Sequence, residues 1–271
     1  MQCKICGSPS ELVFKATVLK KYDVSYFRCS KCYFMQTEEP YWLPEAYSSA
    51  ITELDLGPVN RAITGARIVE SVIVLAFEPN AKFIDWGGGY GIFTRLMRDM
   101  GYDFYWRDAY CQNLFARHFV AHADSGYELM TCFEVFEHYA QPMSEIETML
   151  KVCLNILFTT EVPPPNVTTA TDWWYFSPEH GQHIAFYSVP ALRFIASKFG
   201  LHLSTDGTAL HLLSQKPVSD RVFKAIARDR RASKVRFSRT SRAVVSGLDE
   251  QVRGTLHPLV EGLPCPRAYC P

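Results

Sequence analysis

The sequence predicts an α/β fold in which a mostly parallel sheet is closed by an antiparallel hairpin, with a small zinc ribbon at the N-terminus. Three observations predict this fold: two C-x2-C pairs within the first 32 residues, a glycine-rich loop between a strand and a helix at 81–100, and two strand patterns at 201–214. With 271 residues, 48% hydrophobic and 21% charged, the chain suits one catalytic domain with appendages and not a disordered or fibrous protein.

Four cysteines near the N-terminus form two C-x2-C pairs that are separated by 22 residues: Cys3, Cys6, Cys29 and Cys32. Two such pairs supply four thiolates for a tetrahedral zinc ion. The alternating patterns at 11–18 and 24–28 predict two short strands between the pairs. Because four cysteine ligands leave no position for water, we expect a structural and not a catalytic zinc. Four free cysteines and a redox dithiol are the weaker alternatives.

A glycine-rich loop follows a helix expected at 59–75 and a buried strand expected at 81–85. Its sequence at 86–91 is Trp-Gly-Gly-Gly-Tyr-Gly, and an amphipathic helix begins at Ile92. Glycines are needed here because the backbone must turn sharply and let a ligand approach with no Cβ in the way. The dinucleotide pattern G-x-G-x-x-G/A is not met, so an NAD site fits poorly.

Acidic residues end the next two predicted strands. Asp108 follows the strand at 103–107, where its carboxylate can accept hydrogen bonds from a ligand. The alternative is that Asp108 caps a helix at 110–119. The following apolar strand, which begins at Leu129, ends in Glu-Val-Phe-Glu-His at 134–138. A helix is then expected at 142–150, and a fifth strand at 152–159.

This order of motifs resembles that of class I S-adenosylmethionine-dependent methyltransferases, over about residues 1–215. The resemblance rests on the pattern D-x-G-x-G-x-G at 85–91, on the acidic residue at 108 and on the E-V-x-E-H ending at 134–138. It implies a Rossmann-like methyltransferase fold and a site for S-adenosylmethionine that contains these residues: Asp85, Gly87, Gly88, Gly89, Asp108 and Glu134. In that family the acidic residue after the second strand binds both ribose hydroxyls of the cofactor, which makes Asp108 the candidate for this role. In this fold the strand that begins at Leu129 is the fourth of the sheet. Only about ten residues separate Phe119 from it, so we expect the third strand and its helix to be short or missing.

The loop between the strand predicted at 152–159 and a helix predicted at 188–199 is expected to hold the methyl acceptor, and we call it the acceptor loop. It leaves the carboxyl end of a strand, where ligands bind in open α/β sheets, and it combines aromatic residues with a Glu-His pair. These side chains suit a sugar-like or other polar ring. We predict His180 as the catalytic base, Glu179 as its orienting or substrate-binding partner, and His183 as the second choice. The alternative is that they only tie down the loop.

The cysteine module, the glycine loop and the Glu-His pair together are similar to bacterial deoxysugar C-methyltransferases. Those enzymes carry a tyrosine two residues before the glutamate, where this chain has Ser177, and Tyr175 lies out of register. The resemblance implies a sugar or nucleotide-linked sugar as the acceptor and leaves C- and O-methylation open. RNA methylation and a catalytically silent, methyltransferase-like binding module are the alternatives.

Three regions are expected: a zinc-binding module at 1–45, a methyltransferase domain at 46–216 and a basic extension at 217–271. Residues 221–242 hold nine Lys and Arg against one Asp. This pattern fits a surface helix with Val222, Phe223 and Ile226 facing inward, or a segment that contacts phosphates.

The longest apolar run, at 72–77, is far shorter than the roughly 18 residues that cross a bilayer, and no signal peptide is recognisable. We therefore expect a cytoplasmic protein with a small-molecule acceptor and no membrane partner. Nucleic acid is the less favoured partner, and the sequence leaves the oligomeric state open.

Overall fold

The computed structural model describes residues 1–48, 57–122, 125–219, 221 and 223–226. Residues 1–231 group into one compact unit. Most of the basic extension, including Val222, lies outside the described residues. In chain order the helices and strands are β1 (Ser10–Val18), β2 (Tyr22–Cys29), β3 (Met35–Thr37), α1 (Leu43–Ala46), α2 (Pro58–Ala76), β4 (Lys82–Trp86), α3 (Ile92–Asp99), β5 (Asp103–Arg107), β6 (Leu129–Phe133), α4 (Pro142–Leu150), β7 (Ile156–Thr159), β8 (Ala185–Phe186), α5 (Val189–Lys198), β9 (His202–Thr205) and β10 (Leu210–Ser214).

The larger sheet has six strands in the order β5-β4-β6-β7-β10-β9. Strands β5, β4, β6 and β7 run parallel, whereas β10 pairs antiparallel with both β7 and β9. The predicted α/β fold, a mostly parallel sheet closed by an antiparallel hairpin, is confirmed.

Both faces of this sheet are covered, which is why its central strands are apolar along their whole length. Successive strand residues point to opposite faces, so Phe83 packs with α2 and α3 while Ile84 packs with α4 and α5. Phe223 and Ile226 are buried against the α2 side, which confirms their predicted inward direction. Within the described residues, no helix is both long and apolar enough to cross a membrane.

The smaller sheet, in the order β1-β2-β3-β8, joins the N-terminal region to the loop that precedes α5. The two strands predicted between the cysteine pairs are present as β1 and β2, and they pair antiparallel. Strand β3 pairs antiparallel with β8, through Met35 with Phe186 and Gln36 with Ala185. The acceptor loop therefore ends as a strand of the N-terminal sheet.

The expected helix at 110–119 is wrong, because that segment consists of turns. Asn113 accepts a hydrogen bond from the backbone N–H of Ala116 and donates one to its carbonyl, and such local bonds compete with helix formation. The third parallel strand is reduced to a single bridge between Val120 and Trp106. The expectation of a short third strand with a missing helix is thus confirmed in the described residues.

Candidate active site and cysteine cluster

The glycine loop after β4 leaves too little room for a Cβ at three positions, Gly87, Gly88 and Gly91. A Cβ on Gly87 would lie 2.6 Å from Cγ2 of Val135, and one on Gly88 would lie 2.6 Å from Cδ1 of Trp106. Gly87 and Gly89 also have φ angles of +72° and +54°, which favour glycine. The loop therefore leaves a cradle of bare backbone, which fits the close approach of a cofactor.

Asp85 lies in β4, just before the glycine loop. Its carboxylate is 3% exposed and accepts hydrogen bonds from Thr94 at 2.9 Å and Thr131 at 3.1 Å. Burial raises the pKa of Asp85 to about 7, which the two hydroxyl groups partly oppose. Asp85 thus ties β4, α3 and β6 together where the loop begins, and it positions the loop.

Asp108 holds the other side of the loop. Its Oδ2 accepts a 2.9 Å hydrogen bond from the backbone N–H of Gly89, and its Oδ1 accepts from the N–H groups of Tyr110 and Cys111 at 2.7 and 2.8 Å. A carboxylate has about four acceptor positions, so about one remains for a ligand. This arrangement fits a hydrogen bond from one ribose hydroxyl better than from both. Asp108 does cap a segment, but the segment is a turn and not the expected helix.

A buried acidic cluster lies at the end of β6 in a backbone turn that has an unusual conformation. Glu134 has a φ angle of +55°, rare for a residue with a side chain. Its carboxylate accepts a 2.7 Å hydrogen bond from Thr159 at the end of β7. The hydroxyl of Tyr175 lies 2.6 Å from Oε1 of Glu137 and 3.2 Å from Oε2 of Glu134. Tyr175 therefore brings the acceptor loop against the ends of two parallel strands.

Two histidines complete this cluster. Nδ1 of His183 lies 2.6 Å from the carbonyl oxygen of Tyr175, and its Nε2 lies 4.0 Å from Oε1 of Glu137. Nδ1 of His138 lies 2.8 Å from the hydroxyl of Tyr47. Burial lowers the pKa of His183 well below its usual value and that of His138 to about 3, so both imidazoles are neutral near pH 7.

Glu137 and His138 belong to the E-V-x-E-H ending, but sequence reasoning assigned neither a role, and it treated Tyr175 as out of register. Burial, followed by the charge of Glu134, raises the pKa of Glu137 well above its usual value. The available signal was the motif itself, which ends in a glutamate and a histidine.

The predicted catalytic residues His180 and Glu179 differ in their exposure. The ring of His180 is half-buried, 4.9 Å from the ring of His183 between centroids. The side chain of Glu179 is exposed and makes no hydrogen bond within the part of the chain that the structure describes. The expectation that Glu179 orients His180 is therefore not supported, and its contact with a substrate stays a prediction.

The four predicted zinc ligands lie together, with their sulfur atoms all within 4.8 Å of one another. Sγ of Cys3 is 3.6 Å from Sγ of Cys32, and Sγ of Cys6 is 3.5 Å from Sγ of Cys29. Ligand sulfurs about 2.3 Å from a tetrahedral zinc would be about 3.8 Å apart. Each C-x2-C pair lies in a tight turn, or knuckle. Backbone N–H groups of both knuckles point at the sulfur atoms, as that of Ile5 does towards Sγ of Cys3 at 3.4 Å. The geometry thus fits a structural zinc ion.

Residues 63–205, more than half of the chain, match the protein family described as methyltransferase domain. The chain belongs to this methyltransferase domain family. It is an S-adenosylmethionine-dependent methyltransferase, as the glycine loop and the motifs after it predict. The matched span includes the glycine loop, the acidic cluster and the acceptor loop. No curated protein sequence matches the chain.

Several solved structures resemble this methyltransferase distantly. Magnesium protoporphyrin IX methyltransferase from Synechocystis PCC 6803 is 13% identical with a TM-score of 0.44, and the match covers 64% of this chain and 92% of that one. CalO1, a methyltransferase in calicheamicin biosynthesis, is 12% identical with a TM-score of 0.41, over 65% of this chain and 60% of that one. An O-methyltransferase family 2 protein from Planctomyces limnophilus, in complex with apigenin, is 12% identical with a TM-score of 0.41, over 65% and 68%. The assignment rests on the family match and not on these structures.

Proposed function

We propose that this methyltransferase acts on a small polar acceptor, a sugar or nucleotide-linked sugar, that binds beside the cluster of Glu134, Glu137 and Tyr175. The contact between Gly87 and Val135 carries the proposal. Val135 follows Glu134 directly, so the cradle for the methyl donor and the acidic cluster are in contact. An acceptor at the cluster would therefore lie next to the donor.

The bound cofactor supplies a sulfonium methyl group, which is transferred while sulfur keeps the electron pair of the broken bond. The acceptor forms the new bond through oxygen or carbon and gives up a proton. His180 receives that proton in this proposal, because it lies at the edge of the cluster and is only half-buried. The lowered pKa of His183 makes that histidine the weaker base.

The polar and aromatic groups of the acceptor loop support a sugar as the acceptor. Carboxylate oxygens of the half-buried Glu134 can accept hydrogen bonds from ring hydroxyls. The side chain of Trp174, which neighbours Tyr175, is 70% exposed, and its face can stack on a sugar ring. The similarity to deoxysugar C-methyltransferases agrees with this class of acceptor, and both C- and O-methylation stay open.

We also propose that zinc at Cys3, Cys6, Cys29 and Cys32 holds the N-terminal module in place. Ser188, the N-cap of α5, accepts a 3.1 Å hydrogen bond from the backbone N–H of Ala191 and donates one to the carbonyl oxygen of Cys32. The second knuckle thereby contacts the helix that follows the acceptor loop. The division into a zinc module, a methyltransferase domain and a basic extension is part of this proposal.

The test is methyl transfer from labelled S-adenosylmethionine to a panel of nucleotide-linked sugars, free sugars, phenols and transfer RNA. We expect turnover with a nucleotide-linked or free sugar. His180→Gln should lose turnover and keep its affinity for S-adenosylhomocysteine, whereas the control His202→Gln, at an exposed position on β9, should match the wild type. Methylation of RNA alone, or of phenols alone, would overturn the proposed acceptor class.

A further inference from the structure

Three side chains at the end of β6 and in the acceptor loop present metal-ligand atoms to one another. One atom each from Glu137, His138 and His183 lies within 4.8 Å of the other two. These residues are separate from the four cysteines. Ligands about 2.1 Å from a tetrahedral ion lie roughly 3.4 Å apart. Nε2 of His183 and Oε1 of Glu137, now 4.0 Å apart, would therefore move closer by about half an ångström.

The tautomer of His183 suits metal binding, and the ring of His138 is held through one of its nitrogens. Because a carbonyl oxygen only accepts hydrogen bonds, the 2.6 Å contact with Tyr175 places a proton on Nδ1 of His183 and leaves a lone pair on Nε2. The hydroxyl of Tyr47 contacts Nδ1 of His138 at 2.8 Å. Metal-binding histidines commonly fix their second nitrogen through such a bond.

The charge of the cluster also calls for a cation. The side chain of Glu137 is 0% exposed, and its Oε2 lacks a well-aligned hydrogen bond among the described residues, although the hydroxyl of Thr160 lies close enough to act on this carboxyl. Glu134 shares the hydroxyl of Tyr175 with it. Within the described ranges, neither carboxylate forms an ion pair with a lysine or an arginine. An ionised carboxylate as buried as that of Glu137, with the half-buried Glu134 beside it, is costly without a cation.

We propose that Glu137, His138 and His183 bind a divalent transition metal such as zinc or iron, at a second site apart from the cysteine cluster. Imidazole nitrogens favour such ions over magnesium and calcium. Two histidines and one carboxylate leave coordination positions open. These positions would take oxygen atoms of the acceptor. That last role rests on the proposed function, whereas metal binding itself does not.

The test uses the full chain, loaded with zinc and, separately, with cobalt as a spectroscopic probe. We expect two metal ions per chain by elemental analysis. The cobalt form should show thiolate-to-metal charge-transfer bands from the cysteine site, together with weaker d–d bands of a site with nitrogen and oxygen ligands. One ion per chain with a purely thiolate spectrum would overturn the proposal.

Variants assign the second ion to its ligands. His183→Ala and Glu137→Gln should each lose one ion and the weaker bands, and Cys6→Ser should lose the thiolate bands. His180→Gln should keep both ions, because His180 is not a ligand. Retention of affinity for S-adenosylhomocysteine shows that each variant is folded, and a folded His183→Ala variant with both ions would contradict the proposal. Since no acceptor is present, failure to methylate a sugar leaves this result unaffected.

Discussion

The hydroxyl of Tyr175 lies 2.6 Å from Oε1 of Glu137, and the two side chains are both fully buried. This hydrogen bond joins the loop after β7 to the turn after β6. It fixes the acceptor loop against the end of the parallel sheet. The same turn after β6 contains Val135, which packs against Gly87 of the glycine loop. The candidate site therefore depends on residues that are 38 positions apart in the chain.

Tyr175→Phe removes the donor that the buried Glu137 shares with the half-buried Glu134. We expect the free energy of unfolding to fall by about 1–3 kcal/mol, the usual cost of an unsatisfied buried polar group. Turnover should fall further than affinity for S-adenosylhomocysteine, because the acceptor side is damaged. Denaturant titration and steady-state kinetics measure these effects. Tyr127→Phe, which loses two 3.0 Å hydrogen bonds with the backbone of His122 outside the cluster, is the control and should keep turnover.

Gly87→Ala should abolish binding of S-adenosylhomocysteine in calorimetric titration. The new Cβ would lie 2.6 Å from the side chain of Val135, so the loop must move. Gly207→Ala is a matched control, since Gly207 has a similar φ of +79° but no atom within 4 Å of the added Cβ. Its cost should be limited to backbone strain, with binding unchanged. Equal binding by both variants would contradict the assigned cradle.

Asp85 should make stability depend on pH. Its pKa of about 7 in the folded protein lies above the ordinary 3.8, so the folded state holds a proton more tightly than the unfolded state. The free energy of unfolding should fall as pH rises from about 4 to about 7 and level off above, by at most about 4 kcal/mol. Asp85→Asn should lack this component of the slope in thermal or chemical unfolding, whereas Asp23→Asn, at an exposed position, should keep it. An unchanged slope in Asp85→Asn would show that this carboxyl is ionised throughout.

Cys29→Ser should reduce both zinc content and turnover. Strand β3 follows the second cysteine pair and pairs with β8, which begins two residues after His183. Loss of zinc would therefore loosen the acceptor loop as well as the N-terminal module. Cys153→Ser, a buried cysteine outside the cluster, should keep zinc and turnover. Full turnover by a zinc-free Cys29→Ser protein would separate the module from catalysis.

Elements with a strong local pattern could be predicted from the sequence. Strand β5 and helix α4 have the predicted bounds. The pairing of β3 with β8 could not be foreseen, because it joins segments about 150 residues apart and β8 has only two residues. The prediction of a helix at 110–119 was wrong because the side chain of Asn113 forms hydrogen bonds with the backbone of Ala116, and these bonds compete with those of a helix.

The candidate site divides in the same way. The four cysteines and the glycine loop are local motifs, and the sequence places their residues together. The cluster around Glu137 depends on how the acceptor loop folds back over β6, so Tyr175 carries no signal of its own, whereas Glu137 and His138 are marked only by the motif that they end. Asp108 was predicted only in part. Its place after β5 was predicted, but the simultaneous hydrogen bonds that it accepts from three backbone N–H groups were not.

The central claim is that the glycine loop and Asp108 form the cofactor site of a methyltransferase, and calorimetric titration with S-adenosylhomocysteine tests it most directly. We predict a Kd on the order of micromolar for the wild type and for His180→Gln, and loss of binding for Asp108→Ala, which frees three backbone N–H groups of the loop and the turn after β5. No binding by the wild type, or equal affinity in Asp108→Ala, would contradict this account of the site.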